Sequence, residues 1–280
     1  MEFFMELRQE TIDDFDLPLS DYYICYFDVL GYKAFFESND KEHKKFLIEL
    51  LLSDSKISSI IKNAKAPVDI KYRVYSDNYI LYFKADTLDK YSALKILCAI
   101  VQKIQIFLLS EFKILVRGGI TSGEFYADER IVFGEGLIKA VTLEAKYAQN
   151  PRIIVDTDIF KEELTALLSE GYLAQDIDDF YYVNFLKSTS ALKLIKGACE
   201  RLIAKHCKYH HAVKDEKKII QTERTISKYI WLLMKFNEHC DLLDSPSLKI
   251  DYTLKINEKL LKTEIYIDSK KSSILLPNSI

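Results

Sequence analysis

The first part of the chain alternates between segments with strand-like and helix-like spacing of apolar residues. Residues 22–29 (YYICYFDV) are rich in aromatic and β-branched residues and predict a buried strand. An apolar stripe over residues 41–62 predicts a helix. Residues 69–75 and 79–84 then predict a hairpin whose turn lies at 76–78.

The same alternation continues to residue 155. Residues 88–110 predict a helix with one apolar face, and KILVRGGITSGEFY (113–126) predicts a strand that continues through glycine kinks into a second strand. A helix over 135–149 and a short strand over 152–155 follow. The resulting order, β-α-β-β-α-β-β-α-β, predicts an α+β sandwich, a mostly antiparallel sheet with helices packed on one face.

The rest of the chain has a different pattern. A strand at 180–186 precedes two long helical stretches, at 190–213 and 215–242, and strand-like segments close the chain. We therefore predict a main domain over 1–175 and a helical extension with short strands over 176–280.

Composition narrows the class of partner. The net charge of −3 gives no basic face for nucleic acid, so we expect none to bind. The longest apolar stretch is interrupted by Gln102, Lys103 and Gln105, which argues against a membrane span. Five cysteines without compact spacing, and an N-terminus without signal-peptide features, predict a reduced, cytoplasmic protein.

Two acidic residues carry the candidate chemistry. Asp28 ends a nearly all-apolar strand, where an unpaired carboxylate costs several kcal/mol, and Asp77 lies in the turn of the next hairpin. If the strands pair, a divalent cation such as Mg²⁺ or Mn²⁺ removes the repulsion between the carboxylates. The alternative is that Asp28 caps a helix and Asp77 makes an Asx-turn. Spacing alone leaves both interpretations open.

Gly31 follows the Asp28 strand and precedes a helix-like segment. This arrangement presents free backbone N–H groups to an anion, so a triphosphate could lie there with Lys33 nearby. An ordinary strand-to-helix turn is the alternative.

Four segments, in order, resemble the conserved blocks of class III nucleotide cyclases: FDVLGYKAFF, YSDNYILYF, VRGGITSGEFY and FGEGLIKAVTLEAKYAQNPRIIV. The sequence is most similar to the bacterial pyrimidine cyclases of the Pycsar anti-phage systems, and FYYVNFL and KYIWLLMKFNE extend that similarity. The blocks cover about residues 20–156, and the weaker similarity continues to about residue 240.

The resemblance implies conversion of UTP or CTP to the 3′,5′-cyclic nucleotide and pyrophosphate. It implies two Mn²⁺ or Mg²⁺ ions on Asp28 and Asp77, with the Val29 carbonyl as a further ligand. Arg73, with Tyr32 as a stacking surface, becomes the candidate for base recognition, although Arg73 could equally be a solvated arginine at a sheet edge. A homodimer and a separate cyclic-nucleotide effector protein in antiviral defence are also implied.

One departure from the family pattern affects catalysis. Ile138 and Thr142 stand where adenylate cyclases carry an asparagine and an arginine that stabilise the transition state. Another cation is then needed for the transferring phosphate, and the candidates are Arg117, Lys146 and Arg152, each of which could instead serve surface solubility.

Other functions remain possible on the sequence alone. The departure at Ile138 and Thr142 also suits a cyclase-like module that binds nucleotide without turnover. A palm-type polymerase or dinucleotide cyclase shares two-metal chemistry, but no GGDEF-like signature is present. A zinc site on one helix is disfavoured because its candidate ligands lack a C-x-x-C element; they are His206, Cys207, His210 and His211.

Overall fold

The computed structural model describes residues 19–31, 48, 54–212, 216–257 and 262–267. The strands are β1 (Ser20–Val29), β2 (Lys71–Tyr75), β3 (Asn78–Lys84), β4 (Val116–Ala127), β5 (Val132–Phe133), β6 (Ile153–Val155), β7 (Leu173–Gln175), β8 (Tyr181–Val183), β9 (Tyr252–Asn257) and β10 (Lys262–Ile267). The helices are α1 (Asp54–Asn63), α2 (Lys90–Phe107), α3 (Glu135–Thr142), α4 (Leu164–Ser169), α5 (Thr189–Ala212) and α6 (Glu216–Leu242).

The main sheet has the strand order β2-β3-β1-β4-β6-β8-β7, and the short β5 pairs with β4 beside this path. Its pairs are antiparallel except β4 with β6, which run parallel because α3 carries the chain back across the sheet. Strands β9 and β10 form a separate hairpin. The predicted α+β class with a mostly antiparallel sheet is confirmed.

Helices cover both faces of the sheet and not only one. On β1, Tyr23, Cys25 and Phe27 pack into a core with α1 and α2, whereas Ile24 and Tyr26 face the side on which α3 packs. Because both faces of β1 are covered, its sequence is almost continuously apolar and not alternating. The expected placement of helices on a single face is therefore corrected.

The glycines of β4 allow close packing and do not kink the strand. Residues 116–127 form one continuous strand, whereas the sequence predicted a break into a second one. A methyl group at Gly119 would lie 2.5 Å from Leu143 Cβ and 2.8 Å from the Ala140 carbonyl oxygen. The missing side chain thus lets the segment that follows α3 rest directly on the strand.

Several boundaries also differ from the predictions. Within the predicted helix at 41–62, the structure describes α1, which begins at Asp54 and ends at Asn63. Helices α2 and α3 end earlier than predicted and continue as wider π-type turns, Leu108–Phe112 and Leu143–Tyr147. The short elements α4 and β7 were not predicted, since each is too brief to carry a clear period.

The predicted extension shares a core with the main sheet. The predicted boundary at residue 175 falls at the end of β7, which pairs with β8. A second set of buried residues joins Leu115 and Ile154 of the main domain to Trp231 and Phe236 of α6, and we call this set the second core. Among the described helices, α2 with its following turn is long and apolar enough to span a membrane, but more than half of that stretch is buried inside the protein.

Candidate active site

The end of β1 and the β2–β3 turn bring Asp28 and Asp77 together. Asp28 lies opposite Asn78 in the sheet, and the Val29 N–H donates to the Asp77 carbonyl oxygen at 3.1 Å. The Asp77 carboxyl is a near neighbour of the Asp28 carboxyl, since its charge and a side-chain hydrogen bond both raise the pKa of Asp28. The turn is tight, with Ser76 in the left-handed region at φ 60°, so the position of Asp77 follows from the strand pairing itself.

Burial and the neighbouring carboxylate shift the titration of Asp28. Burial is the largest cause, followed by the charge and hydrogen bond of Asp77 and then the charge of Glu144, and together they raise the pKa of Asp28 to about 7. The charge of Arg117 opposes this increase. The pair therefore favours any additional positive charge placed between its oxygens.

The donor set at the pair suits a hard divalent cation. Carboxylate and carbonyl oxygens are the ligands that Mg²⁺ and Mn²⁺ prefer, and Mg²⁺ is often held by one or two carboxylates plus substrate phosphates. Within the described residues, no group of three His, Cys, Asp or Glu side chains is placed to hold a metal alone. Asp28 and Asp77 thus fit an ion whose remaining ligands are carbonyl, phosphate or water oxygens.

Arg117 and Glu144 form the second charged pair of the site. Arg117 lies opposite Asp28 on β4, and its Nε is 3.7 Å from Asp28 Oδ2 and 2.5 Å from Glu144 Oε1. The Glu144 side chain is only 7% exposed. The pKa of this carboxyl is raised, mainly by burial, although the charge of Arg117 acts to lower it. Glu144 lies on the apolar stripe of the predicted 135–149 helix, and a carboxylate on such a stripe is a signal that could have identified it from the sequence.

Tyr26 and Asn78 complete the floor of the site and were not predicted. The Tyr26 hydroxyl donates to Asn78 Oδ1 at 2.6 Å. The pKa of Tyr26 is raised to about 12. Burial is the largest cause, followed by the charges of Glu144 and Asp28. The signal was the period-two spacing from Tyr26 to Asp28, which puts both side chains on one face of β1.

Arg73 lies on the same face of the sheet as Asp28. It pairs with Ile80 on β3, and Ile80 pairs with Tyr26 on β1. Its Nη2 donates to the Asp128 carbonyl oxygen at 3.1 Å, whereas its Nε is buried without a hydrogen-bond partner among the described residues. Part of the guanidinium is therefore left with hydrogen-bonding capacity.

In the structure Arg152 is paired with carboxylates other than Asp28 and Asp77. Its side chain is fully buried, and its guanidinium contacts Asp176, at 2.5 Å, and Asp178. The expected role of this cation at the reacting phosphate does not fit that position, because the Arg152 side chain is 0% exposed, whereas that of Arg117 is 26% exposed.

The remaining candidate site residues are exposed, are buried beside the pair, or lie outside the residues that the structure describes. Lys146 is exposed, and Gly31 lies in an exposed turn at φ 87° directly after β1. Val29 is buried beside Asp28. Tyr32 and Lys33 lie outside the described residues, as do the side chains of the zinc candidates on α5.

Comparisons with known proteins add structural similarities of low identity. No model of a known protein family matches the chain, and no curated protein matches it. The guanylyl cyclase domain of the RhoGC fusion protein from the fungus Blastocladiella emersonii is similar at 16% identity and a TM-score of 0.44, over 59% of this chain and 95% of that one. The adenylyl cyclase CyaB from P. aeruginosa is similar at 15% identity and a TM-score of 0.40, over 59% and 94%. An adenylate/guanylate cyclase/hydrolase from Silicibacter pomeroyi is similar at 19% identity and a TM-score of 0.38, over 59% and 95%. Because these TM-scores are below 0.5, the functional argument depends on the geometry of the site.

Proposed function

We propose that the protein is a nucleotide cyclase of the class III type that converts UTP or CTP to the 3′,5′-cyclic nucleotide and pyrophosphate. One observation carries the proposal. The Asp28 and Asp77 carboxyl groups, about fifty positions apart in the sequence, meet at the end of β1 with Arg117 next to them. Two adjacent carboxylates and a cation are the arrangement that metal-assisted phosphoryl transfer requires.

Asp28 and Asp77 would hold two Mn²⁺ or Mg²⁺ ions, with the Val29 carbonyl as a further ligand. When bound, such ions lower the pKa of the ribose 3′-hydroxyl and offset the negative charge of the leaving pyrophosphate. The two carboxylates would position these ions at the end of β1. Their proximity in the folded chain means that little reorganisation is needed on binding.

Arg117 and Arg73 have distinct roles in this proposal. The Glu144 carboxylate holds the Arg117 guanidinium beside Asp28, where its charge stabilises the transferring phosphate. Arg73 lies on the same face, level with Tyr26 but two strands away from it, and offers donors to the acceptor edge of a pyrimidine base. The choice of a pyrimidine depends on the sequence resemblance alone.

A second copy of the chain is the expected partner. Tyr75, next to the turn that carries Asp77, is 39% exposed, and Ile138 on α3 is 67% exposed. A homodimer in which each copy covers the site of the other follows from the resemblance, and we propose these two exposed side chains as contacts in it. A role in antiviral defence through a separate effector protein follows from the resemblance only.

Product identification tests the proposal directly. The purified protein is incubated with each of the four nucleoside triphosphates and Mn²⁺, and the products are identified by mass spectrometry. We expect cyclic UMP or cyclic CMP, its loss on addition of EDTA, and a decrease of at least about 100-fold in Asp28→Asn and in Asp77→Asn. Asp86→Asn, an exposed matched control, should keep wild-type activity. Absence of a cyclic product from every triphosphate would contradict the proposal.

The non-catalytic alternative is favoured by the apolar Ile138 and the neutral Thr142 on α3. The Thr142 hydroxyl donates to the Ile138 carbonyl at 2.7 Å, so it is occupied within the helix. A binding module would show triphosphate affinity in calorimetry without turnover, and Asp28→Asn would change affinity alone.

A further inference from the structure

Helix α6 packs over the sheet face that carries the carboxylate pair. Ile226 and Trp231 of α6 are buried in the second core, and the partly buried Leu30 and Leu143 pack against that core. Leu30 is two residues beyond Asp28, and Leu143 directly precedes Glu144. The packing thus brings the middle of α6 close to the charged site.

Lys228 lies between those two anchoring residues of α6. Its side chain is half-buried, and the charges of Asp28, Glu144 and Arg117 act on its pKa. No carboxylate oxygen of the described residues lies within 4 Å of its ammonium group. By contrast Lys235, two turns later, contacts Asp176 at 3.1 Å and Glu238 at 2.9 Å.

The environment of Lys228 disfavours an unpaired charge. Burial, the largest cause, and then the repulsion from Arg117 lower the pKa of Lys228, while Asp28 and Glu144 act in the opposite direction. Arg224, one turn earlier on α6, adds further repulsion. A partly desolvated ammonium that has no carboxylate partner among the described residues gains most from an anionic ligand that enters the site.

We propose that Lys228 is a phosphate-binding residue of the candidate active site, supplied by the helical extension to the triphosphate held at Asp28 and Asp77. This proposal rests on the proposed function, because it takes the ligand to be a nucleoside triphosphate. It gives the segment after residue 175 a chemical role in addition to its structural one.

Binding of inorganic tripolyphosphate, measured by titration calorimetry with Mn²⁺ present, tests the proposal without turnover. We expect Lys228→Met to lose about tenfold in affinity, as removal of one charge-assisted contact gives, and Lys228→Arg to retain most of it. Lys193→Met, which removes an exposed lysine of α5, should bind as the wild type does. Unchanged affinity in Lys228→Met, or an equal loss in Lys193→Met, would overturn the proposal.

Chemical labelling of the wild-type protein gives a test that does not depend on folding of a variant. Acetylation by an amine-reactive ester is quantified by mass spectrometry with and without tripolyphosphate. Protection of Lys228, with Lys193 unchanged, is the expected result, whereas equal labelling of Lys228 in both samples contradicts the proposal. Phosphate protection of Lys228 without a cyclic product would refute the cyclase activity and leave the phosphate-binding role standing.

Discussion

At the scale of single residues, the buried acids of this protein differ in their partners. Glu144 meets Arg117, and Asp176 meets both Arg152 and Lys235. Glu200 on α5 is only 6% exposed, and neither of its carboxylate oxygens has a hydrogen-bond partner among the described residues. Burial raises the pKa of Glu200, against the weaker effects of nearby cations.

Glu200→Met should therefore stabilise the protein at high pH. Because the pKa of Glu200 is raised in the folded state, its contribution to stability is most favourable below the unfolded pKa and is lost as pH rises through the folded pKa. We expect a gain of about 1–2 kcal/mol at pH 8, or roughly 2–8 °C in Tm, that shrinks toward pH 4. Thermal unfolding at both pH values measures it.

Glu129→Gln is the matched control for this change, since Glu129 is exposed and should alter Tm little at either pH. A lower Tm of Glu200→Met at pH 8 would mean that the carboxylate is compensated in the folded state.

Residue types explain which parts of the site the sequence could predict. Asp28 was recognisable because a carboxylate closes an otherwise apolar strand, and Asp77 because it sits in the next hairpin turn. The partners of Arg152 were not predicted, because Asp176 and Asp178 come from a loop whose position depends on long-range packing. Lys228 gave no sequence signal of its own, since a lysine on an amphipathic helix is usually solvated.

At the scale of elements, one carboxylate links α6 to the sheet. Asp176 Oδ2 accepts from Trp231 Nε1 at 2.6 Å and from Arg152 Nη1 at 2.5 Å, and Oδ1 contacts Lys235 at 3.1 Å. Burial alone would raise the pKa of Asp176, but these hydrogen bonds and the Arg152 charge lower it below its usual range. The helix is thus held by a buried charged network in addition to apolar packing.

Removing that carboxylate should destabilise the whole fold. Asp176→Asn leaves Arg152 and Lys235 buried with less counter-charge, and we expect a loss of about 3–5 kcal/mol in the free energy of unfolding. Because the folded pKa of Asp176 is lowered, the wild-type advantage is present above the unfolded pKa and is lost as pH falls through the folded pKa.

Urea unfolding at pH 7, followed by the fluorescence of Trp231, the single tryptophan of the chain, measures this loss. Asp158→Asn is exposed and should unfold as the wild type does. A difference below about 1 kcal/mol between Asp176→Asn and the wild type would show that the network adds little to stability.

At the scale of the whole molecule, the second core crosses the predicted domain boundary. Leu115 and Ile154 would lose their cover if Tyr182, Trp231 and Phe236 were removed. A fragment of residues 1–175 should therefore lack a cooperative unfolding transition, because it exposes one face of its sheet.

Circular dichroism during thermal unfolding of the fragment checks this expectation against the full chain, which should unfold in one transition. A cooperative transition of the fragment near the Tm of the full chain would instead support two independent domains.

The order of elements in the first 155 residues followed from local periodicity, but the sheet order did not. The parallel contact of β4 with β6 and the docking of α6 depend on tertiary packing, which a period of apolar residues does not encode. Helix placement on both faces could have been inferred from the continuous apolar run of β1.

The contact at Gly119 has a consequence for how this site can evolve. Where side chains separate a helix from a strand, substitutions between large and small residues can change the distance between the two elements. Here the Gly119 backbone lies directly against Leu143 and the Ala140 carbonyl, so any larger residue at Gly119 would push the segment that carries Glu144 away from the sheet. Arg73 lies on a different strand, β2, so its exchange is expected to alter ligand preference without moving the carboxylate pair.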